Sequence, residues 1–147
     1  YDRFSLEGQP TGGKRPVTMR SGEGLMYVLR ADDPVGTAVW TDQMRGGYAT
    51  WQPGFECDYH CHQGADEVFV FVAGQCEITV EGETRTVGAG ETVYTRAGQR
   101  HKLKAIGPDP LEMFLVVAPN HSPTHTITYP DGRVADVDRA VPAKRIP

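Results

Sequence analysis

The residues with the most chemistry to offer are concentrated in HCHQGADE, His60 to Glu67, where two of the chain's five histidines stand one residue apart and a carboxylate follows. On an extended strand, side chains at i and i+2 share a face, so His60 and His62 point together and Cys61 points away. A short turn over Gln63 to Asp66 leads into a strand opened by Glu67, and a hairpin return sets that carboxylate beside the histidine pair. His101, after a Gly-Gln-Arg turn, opens a later strand, and closure of a barrel would carry it to the same place. Neutral imidazole nitrogen and carboxylate oxygen suit Fe(II), Mn(II), Co(II), Ni(II), Cu(II) or Zn(II), and a set without thiolate argues against a structural zinc knot. Four such ligands leave coordination positions open to water or substrate, as chemistry at a metal requires. One divalent transition metal is therefore the expected cofactor.

Regular alternation backward from His60 puts Glu56 and Asp58 on the ligand face as candidate bases. Forward from Glu67 it adds Phe69 and Phe71 as an apolar wall for a substrate. Tyr48, Trp51, Tyr94, Met113 and Phe114 are further wall candidates. Arg96 and Arg100 flank His101 and are candidates to clamp an anionic substrate, and Gln63 is a candidate to reach an open coordination position. His121 and His125, in NHSPTH, become candidate bases or proton shuttles if the chain's end folds over the mouth of the site. Each has a plainer alternative: core packing for the aromatics, solvated rim charges for the arginines, a turn for Gln63, and exposure for the two histidines.

The elements that must position these groups read as short strands. They are Leu25–Arg30, Thr37–Asp42, Tyr48–Pro53, Glu67–Gly74, Cys76–Glu83, Thr84–Gly90, Glu91–Gly98, His101–Ile106 and Leu111–Pro119, with DDPVG and MRGG as early separators. No segment keeps an apolar 3.6-residue period for three turns, and 17 Gly and 11 Pro supply many turns, so the chain is expected to be all-β, a sandwich or barrel. At 147 residues it makes one domain: an N-terminal arm over 1–24, a barrel over 25–119 and a C-terminal arm over 120–147. A net charge of −4 without a basic stripe argues against nucleic acid as a partner. The longest apolar run, VFVFVA, is far short of the roughly 20 residues of a membrane span. Tyr1 to Pro16 has no basic segment followed by an apolar one, so a cytoplasmic location is expected. If extended, the stretch between Cys57 and Cys61 spans roughly 13 Å, too far for a disulfide, and the three cysteines are read as reduced thiols.

Two longer patterns lie over these residues. Gly54-FECDY-His60-C-His62-QGAD-Glu67-VFVFVA-Gly74 matches G(X)5HXH(X)3-4E(X)6G at every fixed position, and Gly90, Gly98 and His101 match the glycines and histidine of G(X)5PXG(X)2H(X)3N. Arg96 stands where the second pattern has Pro, and Ala105 where it has Asn. In both patterns the chain resembles the cupins. The resemblance implies a cupin double-stranded β-helix, a jelly-roll barrel, with His60, His62, Glu67 and His101 holding the ion inside, and a homodimer. It also implies a metal-dependent enzyme acting on a small organic substrate. The leading expectation is an Fe(II)-type dioxygenase. The alternatives are a non-redox isomerase, lyase or polyketide-type cyclase, and a non-catalytic barrel that binds a small molecule or metal.

Overall fold

The computed structural model describes residues 38–139 together with the short strands Asp2–Arg3, Tyr27–Val28 and Lys144–Arg145. The expected arm over 1–24 otherwise lies outside the described residues. The strands in chain order are β1 (Asp2–Arg3), β2 (Tyr27–Val28), β3 (Ala38–Trp40), β4 (Arg45–Trp51), β5 (His60–Cys61), β6 (Asp66–Ala73) and β7 (Gln75–Val80). They continue as β8 (Glu83–Gly88), β9 (Thr92–Thr95), β10 (His101–Ile106), β11 (Leu111–Ala118), β12 (His125–Thr128), β13 (Val134–Val137) and β14 (Lys144–Arg145). No helix occurs among the described residues, as the missing 3.6-residue period requires.

Two six-stranded sheets carry the fold, in the orders β13-β12-β5-β10-β7-β8 and β14-β3-β4-β11-β6-β9, and β1 pairs with β2 apart from them. Alternation decides what faces inward. In the first sheet Cys76 and Ile78 stand opposite Ala105 and Leu103, and in the second Phe71 stands opposite Met113 and Trp51 opposite Leu111. Phe69, Phe71, Cys76, Ile78, Val87, Leu103, Ala105, Leu111 and Met113 form the core between the sheets. At one end of that core the inward positions are polar. Arg45, Val117, Glu67 and Thr95 make one cross-strand row over β4, β11, β6 and β9, facing His60 and His101, which are paired across β5 and β10.

Turn chemistry holds the register. Glu81 (φ 46°) and Gly82 (φ 85°) are both left-handed, the two-residue hairpin that joins β7 to β8 without splaying them. Gly74, between β6 and β7, has φ 73°, and a Cβ there would stand 2.3 Å from the Pro110 carbonyl oxygen. Only glycine allows that approach.

Two expectations are corrected. MRGG is not a separator: Arg45, Gly46 and Gly47 lie in β4, where the absent side chain of Gly46 admits the backbone of Leu115. The barrel does not end at residue 119 either, because β12 and β13 are strands of the first sheet, with Thr126 and Ile127 opposite Cys61 and His60. The Pro and polar composition that suggested an arm belongs to a hairpin that buries Thr126 and Ile127.

Candidate metal centre

His60, at the start of β5, and His62, just past its end, share the inward face as alternation requires, and both are buried. Glu67 enters from β6 and His101 from β10, also buried. Nε2 of His62 and Nε2 of His101 each lie 2.9 Å from Oε2 of Glu67. One donor atom from each of the four residues falls within 4.8 Å of all the others.

The other face of each imidazole settles which nitrogen is available. Nδ1 of His60 donates to the Asp58 carbonyl at 2.8 Å, Nδ1 of His62 to the Thr124 carbonyl at 2.6 Å, and Nδ1 of His101 to the Gln99 carbonyl at 2.9 Å. A carbonyl only accepts, so in the neutral ring the proton is on Nδ1 and the lone pair on Nε2. In that tautomer two Nε2 lone pairs face one carboxylate oxygen, an arrangement that a shared cation or a proton on the ring would satisfy. Nε2 of His101 is buried with no hydrogen-bond partner. Two ligands at roughly 2.1 Å from one ion and at right angles are about 3 Å apart, so the spacing fits a shared metal. Backbone carbonyls that fix the tautomer of ligating histidines are the usual outer support of such a site. The buried His60, His62, Glu67 and His101 cluster is thus compatible with a metal ion.

The electrostatics keep these groups in ligating form. Burial raises the Glu67 carboxyl, but the His101 and His62 imidazoles set against it outweigh that and hold the group below the usual carboxylate range. Burial, then repulsion from His101, takes His60 down to about 4. Burial raises the Cys57 thiol to about 11 and that of Cys76 to about 12, so neither offers a thiolate. All three cysteines are free, and Cys61, turned from the cluster, receives a hydrogen bond from Gln63 Nε2 at 3.5 Å.

Phe69 and Phe71 are buried on the ligand side, with the Phe69 ring 5.7 Å from that of His101. Met113 and Trp51 join the same core. His125, at the start of β12, has its ring 4.8 Å from His60 and 4.9 Å from His62. Burial, then His60, takes it down to about 3, so it is neutral at pH 7.

Other candidates are not brought to the cluster. Glu56 and Asp58 were expected on the ligand face, but only His60 and Cys61 are regular strand, and the alternation fails before them. Glu56 is exposed and bonded to Lys102 Nζ at 2.6 Å, and Asp58 pairs with Arg139. Arg100 is committed to Glu81 at 2.8 Å, and Arg96 is exposed. Gln63 serves the turn beside Cys61. His121 lies against the turn at Gly64 rather than with the other rings. Tyr94 is 54% exposed and donates to Asp66, while Tyr48 and Phe114 pack against each other on the opposite face from Met113.

Sequence reasoning missed Arg45 and Thr124. Arg45 is 6% exposed, donates from Nη2 to the Thr124 carbonyl at 2.8 Å and from Nη1 to Asn120 Oδ1 at 2.9 Å, and has Nη2 3.1 Å from His62 Nδ1. Burial pulls its pKa down, against the opposing charge of Glu67. The available signal is a charged residue in phase with inward Gly47, Ala49 and Trp51, masked by the turn-like composition of MRGG.

The family model described as the cupin domain matches residues 47–117, which carry all four cluster residues. A solved double-stranded β-helix protein from Klebsiella pneumoniae superposes with a TM-score of 0.54 at 22% identity, over 69% of this chain and 77% of that one. Residues 47–117 make a cupin domain. Part of this cupin is similar to mannose-1-phosphate guanylyltransferase ManC of Salmonella typhimurium, 33% identical over 67 residues that cover 46% of this chain and 14% of that protein. An uncharacterized protein of Streptomyces coelicolor is 42% identical over 57 residues, covering 39% of this chain and 53% of its own length. The cupin thus matches a small part of the first relative and about half of the second.

Proposed function

We propose that this cupin is a mononuclear metal enzyme acting on a small organic molecule, with the chemistry of an Fe(II)-type dioxygenase. The observation that carries the metal is the pair of Nε2 atoms facing one Glu67 oxygen at 2.9 Å, with their Nδ1 protons already held by carbonyls. His60, His62, Glu67 and His101 would hold the ion. A redox-active divalent ion there supplies reactivity toward dioxygen and a Lewis acid for the substrate. Phe69 and Phe71 form the dry wall, excluding water from a reaction that bulk solvent would divert. Glu56 is bonded to Lys102 and Asp58 to Arg139, so neither carboxylate stands at the cluster as the base that isomerisation would use. As part of the same reading the protein works in the cytoplasm as a homodimer, to be checked by sedimentation.

The test is anaerobic loading with Fe(II), Mn(II), Ni(II), Cu(II), Co(II) or Zn(II), followed by oxygen-uptake screening with enolisable and aromatic metabolites. The expected result is about one ion per chain and substrate-dependent oxygen consumption with iron. Turnover at equal rate without oxygen, or with Zn(II), would replace the dioxygenase reading. One observation favours that second reading, a non-redox isomerase, lyase or cyclase: the His125 ring stands beside two ligands, the position that a proton-accepting side chain would need.

A further inference from the structure

Arg45 is a buried cation that the proposed chemistry does not use. Its carbonyl partner is also the partner of His62: the Thr124 oxygen accepts from His62 Nδ1 at 2.6 Å and from Arg45 Nη2 at 2.8 Å. The guanidinium is anchored from the other side by Asn120, whose own Nδ2 donates to the Thr41 carbonyl at 2.7 Å. Among the described residues Arg45 forms no ion pair, and its remaining contact is the Trp40 ring, 5.8 Å away. A buried cation with no carboxylate in contact is costly even with the charges of Glu67 and Asp138 acting on it from a distance, and its Nη2 stands 3.1 Å from His62 Nδ1. The fold therefore maintains a positive charge directly behind one ligand of the cluster. Glu67 faces the opposite nitrogen of that imidazole at 2.9 Å, so the charge and the proposed ion lie on either side of a single ring.

We propose that Arg45 is a positioning residue of the metal centre: it clamps the Thr124 carbonyl that orients His62 and sets a fixed positive charge behind that ligand. This rests on the metal-centre reading above. A carbonyl bonded only to an imidazole makes the ring a stronger donor. Shared with a guanidinium, it orients the ring while donating less to it. A fixed positive charge also favours the lower charge of a bound ion, which holds iron in the ferrous state that meets dioxygen.

The experiment compares wild type, Arg45→Met and Arg45→Lys by equilibrium dialysis with Fe(II) under nitrogen, and by redox titration of the iron-loaded proteins. Circular dichroism checks folding, and Arg45→Gln replaces Arg45→Met if the latter does not fold. Arg45→Met relieves the charge but frees the Thr124 carbonyl that orients His62, and the lost orientation should dominate. Fe(II) binding should weaken roughly ten- to a hundredfold, the usual loss for an outer-shell partner, while loss of the charge lowers the midpoint potential. Arg45→Lys keeps the charge without the fork, so it should weaken binding while keeping a potential near wild type. Weaker binding at an unchanged potential in Arg45→Met would make Arg45 merely structural and overturn the proposal, as would wild-type values in both measurements. A wild type that binds no iron or other divalent ion would instead overturn the metal centre itself.

Discussion

Glu67 is the residue on which the site turns, because one of its oxygens lies 2.9 Å from Nε2 of both His62 and His101. Glu67→Gln keeps the shape but removes the charge, and His101→Ala removes the nitrogen that has no other partner. Both should reduce bound metal from about one ion per chain to less than a tenth of that, by elemental analysis, with the circular dichroism spectrum kept. His125→Gln should leave metal content near wild type, since its ring neighbours only His60 and His62. The imidazoles also predict a pH dependence for the metal-free protein. His60 at about 4 and His125 at about 3 lie below the ordinary 6.5, so between those values the unfolded chain binds more protons than the folded one. Stability is then full above about pH 6.5 and falls as the pH drops toward 4. Thermal melts of chelator-treated protein from pH 7 to 4.5 should show a falling Tm with a shallower slope in His125→Gln. A flat profile would contradict the burial that causes the shifts.

The strands set the site by alternation, and two positions test how tightly they are held. Phe71, 1% exposed, stands opposite Met113 across β6 and β11, and Phe71→Ala should cost about 3–5 kcal/mol in urea unfolding. Gly74→Ala combines φ 73° with a Cβ 2.3 Å from the Pro110 carbonyl oxygen, so a loss of about 2 kcal/mol or more is expected without any change in the site's chemistry. The β12–β13 hairpin brings His125 beside His62 and supplies the Thr124 carbonyl. Its composition resembles a loop because its outward side is polar, as in the Ser122 and Asp138 bond at 2.7 Å. The pairing of Thr126 and Ile127 with Cys61 and His60 shows that it belongs to the sheet.

At the scale of the whole molecule, an ion held by the cluster would couple binding to folding, since the unfolded chain has no such cluster. Metal at a hundredfold excess over its Kd adds about 2.7 kcal/mol, so chelation should lower Tm by on the order of 10 °C. An unchanged melting curve would mean that the cluster binds no ion. Among the described residues no helix is long and apolar enough to cross a membrane.

The all-β cupin fold and the cluster of His60, His62, Glu67 and His101 were legible in the sequence. Strand alternation is local, and the glycines with positive φ at 54, 74, 90 and 98 mark turns whose spacing the sequence displays directly. What lay beyond local reading came from contacts between distant segments. Arg45 reaches Thr124 across 79 positions, Lys102 takes Glu56 out of reach of the site across 46, and Arg139 takes Asp58 across 81. No period of two or 3.6 residues records such pairs. The sequence by itself determined which atoms can bind a metal. Only the closed barrel decided which neighbours orient those atoms, because that depends on which strands become adjacent.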